Sequence, residues 1–195
     1  MAAERDSLAA EYYSASLADG IENHLEGSYN RFNIAAAVAV GRYFDVPDER
    51  IRHAIASYVP DNNRSQRIGT SRNTLVADCY NANPQAMEAA LEILADTACR
   101  RRVAVLGDMG ELGPISHDAH LEVGRITARL GLDAVIAIGP KSAAIAETAG
   151  PRALHFDTVQ QALPALREQL TPGTAMLVKA SHAMEFGKIV NELET

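Results

Sequence analysis

Cysteine, tryptophan, basic charge and long apolar runs are all scarce or missing in this 195-residue sequence. Its two cysteines, Cys79 and Cys99, form no C-x-x-C pair and follow no regular spacing. That excludes a disulfide framework and a thiolate zinc site, and it points to a reducing compartment. No apolar stretch approaches the roughly 18 residues that a membrane-spanning helix needs. Glu4, Arg5 and Asp6 stand where a secretory signal would be apolar. Against 25 Asp and Glu there are only 18 Lys and Arg, a formal net charge of -7. Nucleic-acid and membrane-surface binders normally carry a basic patch, so neither partner is expected. The reading is a cytoplasmic protein. With 47% hydrophobic and 22% charged residues, the chain can bury a core and is neither disordered nor collagen-like.

Two textures meet near residue 60. Before it, "NRFNIAAAVAVGRYFDV" is Ala-rich and apolar almost all round, the pattern of a buried helix. "PDERIRHAIASYV" opens with Pro47 and acids, both favoured in a first helical turn. The turn-rich "VPDNNRSQ" reads as a hinge. After it strands and helices alternate. "QRIGT" and "TLVADCY" form a short hairpin across "SRN", and "PQAMEAALEILAD" repeats apolar residues at helical spacing through Met87, Ala90, Leu91 and Leu94. "RRVAVLGDM", "DAVIAIG", "ALHF" and "TAMLVKA" are further strands. Between and after them come helices from Ser116 to Leu130 (closed by Gly131), in "KSAAIAETAG", in "DTVQQALPALREQL" with Asp157 as its N-cap, and in "AMEFGKIVNELE". Continuous apolar strands separated by helices predict an α/β fold, a mostly parallel sheet covered on both faces.

Ligands of such sheets bind beyond the carboxyl ends of the strands. Those ends carry Asp78, Asn81, Asp108, Lys141 and Lys179. Two nucleotide signatures are absent. "GDMGELG" spaces its glycines at 107, 110 and 113, which is not the G-x-G-x-x-G of dinucleotide folds. No G-x-x-x-x-G-K-[ST] phosphate loop occurs anywhere; "GPKS" at 139–142 is too short, and Pro140 removes an N–H where amides should face phosphate. His117 and His120 share a helical face at metal-ligand spacing, but no third ligand accompanies them and surface histidines are the simpler reading. Cys79 reads as a core thiol. Lys179 is either a solvated strand-end lysine or a contact to phosphate or carboxylate.

The stretch "LVADCYNANPQAMEAAL" holds the sharpest question. Asn83 and Pro84 are explained as N-cap and first residue of a helix. Asp78, Tyr80 and Asn81 are not. A carboxylate and two polar side chains ahead of a helix N-terminus suit a ribose diol or a polar substrate as well as they suit a plain turn.

In order, "GSYNRFNIAAAVAVG", "NNR", "ADCYNANPQAMEAAL", "VAVLGDMGELG" with His120, and "LVKASHAMEFGKIV" resemble the C-terminal half of the Mur ligase family, nearest its D-alanyl-D-alanine-adding branch. The resemblance runs from about Asp19 to the end of the chain. It implies that residues 1–62 are the tail of a central ATPase domain and residues 63–195 a whole Rossmann-like C-terminal domain. It also implies an ATP- and Mg²⁺-dependent ligase. In that chemistry the terminal carboxylate of UDP-N-acetylmuramoyl-tripeptide is phosphorylated, and the amine of D-Ala-D-Ala then displaces phosphate. By resemblance Asn30 and Asn33 reach adenine, Arg64 the ATP phosphates and Asp78 the ribose hydroxyls. Asn81 and Asn83 face the dipeptide or nucleotide, and Asp108 and Lys179 lie in matching strand-end motifs on the substrate side. With no phosphate loop, the chain is expected to be an inactive piece of a monomeric ligase. Two departures stand out. Asn62-Asn63-Arg64 replaces the family's Pro-Gly-Arg, and Val178-Lys179-Ala180-Ser181-His182 replaces its Val-Lys-Gly-Ser-Arg. The alternatives are a receiver-like phospho-acceptor domain built on Asp78, Asp108 and Lys179, or a folate- or cyanophycin-type ligase of the same superfamily.

Overall fold

Fourteen residues of the Ala-rich run, Asn30–Tyr43, wind into helix α1. The computed structural model describes residues 11–25, 27, 30–59, 66–70 and 73–193, and the chain divides into two units, Met1–Val59 and Pro60–Thr195. In the first unit α1 packs on helix α2, Asp48–Ser57, and on a short turn at Ala15–Ala18. The core here is small: Ala18, Ile21, Ile34, Val38 and Ile51. Close packing rests on Gly41, where a Cβ would stand 2.7 Å from Ile51 Cδ1. The expected all-round burial of α1 is not found. Only one stripe is covered, and Phe32 (61%) and Val40 (56%) remain exposed, because two short elements cannot enclose a whole helix. Pro47 stands one place before the helix rather than in it, while Asp48 and Glu49 fill the first turn as expected.

The second unit is built on six strands and five helices among the described residues. In chain order they are β1 Gln66–Gly69, β2 Thr74–Asp78, α3 Pro84–Asp96, β3 Arg101–Gly107, α4 Ser116–Leu130, β4 Ala134–Ile138, α5 Ala143–Thr148, β5 Ala153–Phe156, α6 Val159–Gln169, β6 Thr174–Lys179 and α7 Gly187–Leu193. The sheet order is β1-β2-β6-β3-β4-β5. Only the β1–β2 hairpin is antiparallel; the other four pairings are parallel. Because side chains alternate along a strand, Val76, Ala104, Leu106, Ala137 and Leu177 pack with α3, α4 and α5 on one face. Leu75, Val103, Val105, Ile136, Met176 and Val178 pack with α6 and α7 on the other. The apolar strands are continuous because both faces are buried.

Helix boundaries follow local chemistry. Gly131 closes α4 in the left-handed region at φ 65°. Two expectations are corrected. The N-cap of α6 is Thr158, not Asp157: the Thr158 hydroxyl accepts from Gln161 N–H, and the Gln161 side chain accepts in return from Thr158 N–H. The last helix does not begin at Ala183. Residues His182–Met184 make a 3₁₀ turn, Glu185 adopts a left-handed φ of 52°, and α7 starts only at Gly187. A left-handed residue cannot continue a right-handed helix, so the chain reorients there and buries Phe186 completely.

The topology sets where a ligand can enter. From β3 the chain proceeds outward to β4 and β5, whereas β6 returns between β2 and β3 and leads to α7 beside β2. Connections therefore diverge from neighbouring strands, which opens a crevice at the carboxyl edge. Asp78, Lys179 and Asp108 all stand on that edge.

Candidate functional site

Asp78 and Lys179 close their strands as direct register partners in the parallel β2–β6 pair. Lys179 is 1% exposed. Its Nζ donates to Asp78 Oδ2 at 2.5 Å and to the Asn81 carbonyl at 2.9 Å. It is therefore not a solvated strand-end lysine. The Asp78 side chain keeps 15% exposure and stands at the rim. The turn that follows is fixed from both ends, by Lys179 at Asn81 and by Asn83 at the helix. Asn83 Oδ1 accepts from Ala86 N–H at 2.8 Å, capping α3 with Pro84 as its first residue. Tyr80 and Asn81 lie exposed between those anchors.

Cys79 sits just beneath. Its thiol donates to the Val178 carbonyl at 3.2 Å. Burial, with the Asp78 charge adding to it, pushes the thiol up to about 12. At neutral pH it is a protonated core group rather than a nucleophile, since the thiolate is the reactive form.

Asp108 behaves differently from Asp78. It is buried at 8% exposure, and its Oδ1 accepts from Lys141 N–H at 3.1 Å, Ser142 N–H at 2.8 Å and Ser142 Oγ–H at 2.6 Å. The "GPKS" turn therefore does cradle an anion, but that anion is the protein's own carboxylate. Gly139 makes this approach possible: its φ is 116°, and a Cβ there would stand 2.6 Å from Asp108 Oδ1. Ser181 ties in the third loop, donating its N–H to the Asp108 carbonyl at 3.1 Å and accepting Gly110 N–H on Oγ at 2.6 Å.

His120 corrects the surface reading of the histidine pair. His117 is exposed, but His120 is wholly buried. Its Nε2 accepts from Met109 N–H at 3.0 Å, and its Nδ1 lies 2.6 Å from the Ser116 carbonyl, to which it donates. Both ring nitrogens are thus committed within the β3–α4 loop and neither is available to a metal. No group of three or more His, Cys, Asp or Glu suited to a metal occurs among the described residues.

The two departures in the last loop are accommodated. Ala180 lies outside the left-handed region, so its methyl group costs no backbone strain. The absence of a Cβ on Gly107 leaves it room, since one there would stand 2.6 Å from Ala180 Cβ. His182 packs its ring against Tyr80 with centroids 5.6 Å apart. The two rings rim a hollow of about 330 Å³ that also touches Cys79, Glu185, Lys188 and Asn191.

Asn30 and Asn33 belong to the first unit. They form a pair at the start of α1, with Asn33 Nδ2 donating to Asn30 Oδ1 at 2.9 Å; Asn30 is buried and Asn33 exposed. Arg64 lies outside the described residues.

A family profile described as "Mur ligase, glutamate ligase domain" matches residues 63–182. The chain belongs to the Mur ligase family. The UDP-N-acetylmuramoyl-tripeptide–D-alanyl-D-alanine ligase of Bacillus subtilis is 31% identical over 185 residues, covering 89% of this chain and 40% of that protein. A crystal structure of MurF from Acinetobacter baumannii matches with a TM-score of 0.82 and 30% identity, over 88% of this chain and 39% of that one. MurF from Thermotoga maritima in complex with ADP matches with a TM-score of 0.73 and 25% identity, over 87% and 38%. The chain spans about two fifths of the length of the relatives it matches. For this Mur ligase domain the receiver reading falls away. Of the three residues it was built on, Asp108 is enclosed by the turn at 139–142 and Lys179 is committed to Asp78 and Asn81.

Sequence reasoning brought Asp78, Asn81, Asp108, Lys141 and Lys179 to one sheet edge, and the structure places them there. It missed Ser142 and Ser181 and put His120 on the surface, yet these three hold the strand-end loops together. The serines carried no signal, since a hydroxyl after a strand suits any turn. For His120 the available signal was its position on α4 itself: its ring lies four residues on from Ser116, one helical turn, and so reaches the loop at the helix start.

Proposed function

We propose that this chain is the C-terminal part of an ATP-dependent ligase that adds D-alanyl-D-alanine to UDP-N-acetylmuramoyl-tripeptide, through an acyl phosphate, in cytoplasmic synthesis of peptidoglycan precursors. Residues 1–62 are the tail of the ATPase domain and 63–195 the domain that closes over the nucleotide. The observation that carries the proposal is the Asp78–Lys179 pair at the carboxyl edge, within a chain that matches UDP-N-acetylmuramoyl-tripeptide–D-alanyl-D-alanine ligases over most of its length. A rim carboxylate fits a ribose diol, accepting from both hydroxyls. Asn30 and Asn33 offer amides to adenine, and Arg64 a permanent cation to the phosphates. Asn81, with the amide nitrogen of Asn83, faces the dipeptide or the nucleotide. Asp108 supports the edge from within. Mg²⁺ is assigned to the part of the ligase outside this chain, where a phosphate loop would also lie; the chemistry needs such charge to stabilise phosphoryl transfer.

The test is ligation by the full-length gene product that contains this chain, as a monomer in solution. It is expected to convert UDP-N-acetylmuramoyl-tripeptide and D-Ala-D-Ala to the pentapeptide with one phosphate released per ATP. The 195-residue chain alone is expected to give no product. Product from the chain alone, or none from the full-length protein, overturns the proposal.

A further inference from the structure

Lys179 has the wrong surroundings for a residue that binds substrate. A lysine that meets a phosphoryl group or a substrate carboxylate presents its ammonium to the cleft, where solvent stands before the ligand arrives. The Lys179 side chain is 2% exposed. Its two contacts are a carboxylate of the neighbouring strand and a backbone carbonyl three residues beyond it. Both contacts point into the protein, and both fix something that itself stands at the rim.

We propose that Lys179 is the positioning residue of the nucleotide site, acting through Asp78 rather than on any ligand. The inference rests on the reading of Asp78 as the ribose contact. Nζ engages Oδ2 and so sets the rotation of the carboxylate plane at the end of β2. A carboxylate that must receive two vicinal hydroxyls gains from such fixing, because the orientation is then prepaid before the nucleotide binds. The second bond, to the Asn81 carbonyl, locks the turn that carries Tyr80 and Asn81 to the same rim. Register explains why one lysine reaches both: Asp78 and Lys179 are paired residues of adjacent parallel strands. From there the long side chain crosses the β2 terminus to the first turn residues. The competing view is an ion pair that only stabilises the fold, as buried pairs often can be replaced without functional loss.

The two views part on the ribose hydroxyls. Steady-state ligation by the full-length protein is measured with ATP and with 2′,3′-dideoxy-ATP, for wild type, Lys179→Met, Asp78→Ala and the double variant. Positioning through Asp78 predicts that Lys179→Met raises KM for ATP about tenfold, the scale of one charge-assisted hydrogen bond, with kcat and the KM for D-Ala-D-Ala little changed. The penalty should shrink to near unity with the dideoxy nucleotide, and Lys179→Met should add nothing in the Asp78→Ala background. An equal penalty on both nucleotides, or a rise in KM for the dipeptide instead, overturns the inference while leaving the ligase reading intact. A wild-type protein that ligates but does not distinguish the two nucleotides also overturns it, by removing the ribose contact. Absence of ATP-dependent ligation in wild type overturns both. Should Lys179→Met fail to fold, Lys179→Arg keeps the charge while displacing it, and carries the same comparison.

Discussion

Asp78 and Asp108 end or follow strands of one sheet, yet their environments assign them opposite work. Asp78 is at the rim with its Lys179 partner on the inner side. Asp108 is enclosed, and one of its oxygens collects three donors from the turn at 141–142. Deleting an acceptor that serves buried donors exposes their full desolvation cost. Asp108→Ala is therefore expected to destabilise the fold by about 2–3 kcal/mol, the range for a buried charged acceptor. Asp108→Asn, whose side-chain oxygen can still accept, should recover a large part of that loss. Urea unfolding followed by circular dichroism checks both. If Asp108→Ala unfolds at the wild-type midpoint, the carboxylate is not holding the turn, and a direct ligand role regains ground. The contrast also shows what residue type alone conveyed. Both acids were visible in the sequence as strand-end carboxylates, but the donors that enclose Asp108 come from a loop more than thirty residues away. No local pattern announces such a partner.

Elements were legible wherever period and capping agreed. Helix α3 runs from Pro84 to Asp96, as its apolar spacing and the Asn-Pro start foretold, and Met87, Ala90, Leu91 and Leu94 are its buried stripe. Replacing Asn83 by alanine removes the side-chain acceptor for Ala86 N–H and should cost about 1 kcal/mol, the usual worth of an N-cap. Serine at the same position should restore most of it. A thermal or urea midpoint unmoved by Asn83→Ala would mean that the cap is redundant here. Less legible were the points where two neighbours compete or where the backbone departs from a common conformation. Asp157 and Thr158 are both fair caps, and the choice falls to Thr158 because Gln161 then completes a reciprocal pair. The left-handed turn at Glu185 has no glycine or asparagine to mark it, so a single helix through 183–194 was the natural reading of an apolar pattern that the chain in fact breaks. His120 was misplaced on the surface for a similar reason. Its burial comes from the loop folding back over the start of α4: the Ser116 contact lies one helical turn away, but the Met109 contact is one that helical spacing cannot express.

Across the whole molecule the two units differ in how fully each encloses its own core. The second has a six-stranded sheet whose two faces are each covered, by α3, α4 and α5 on one side and by α6 and α7 on the other. Among the described residues the first clusters only Ala18, Ile21, Ile34, Val38 and Ile51 into a core, and leaves Phe32, Tyr43 and Phe44 more than 60% exposed. A core that small cannot offset the entropy of ordering its chain, which costs on the order of 1–2 kcal/mol per residue for the backbone alone. The change of texture near residue 60 was plain in the sequence, because helical periodicity gives way to alternating strands there. The small core of the first unit was not, since an apolar helix reads the same whether its neighbours are few or many. Two expressed pieces should therefore behave unequally. Residues 63–195 alone are expected to unfold in one cooperative urea transition, with a midpoint close to that of the full 195-residue chain. Residues 1–59 alone should show no cooperative transition; if they are the tail of an ATPase domain, as proposed, they should gain one when joined to the rest of it. Circular dichroism and amide exchange on both pieces decide the matter. A cooperative transition from the shorter piece would show a self-sufficient unit, and a broad one from the longer piece would show that the sheet depends on the helices before it.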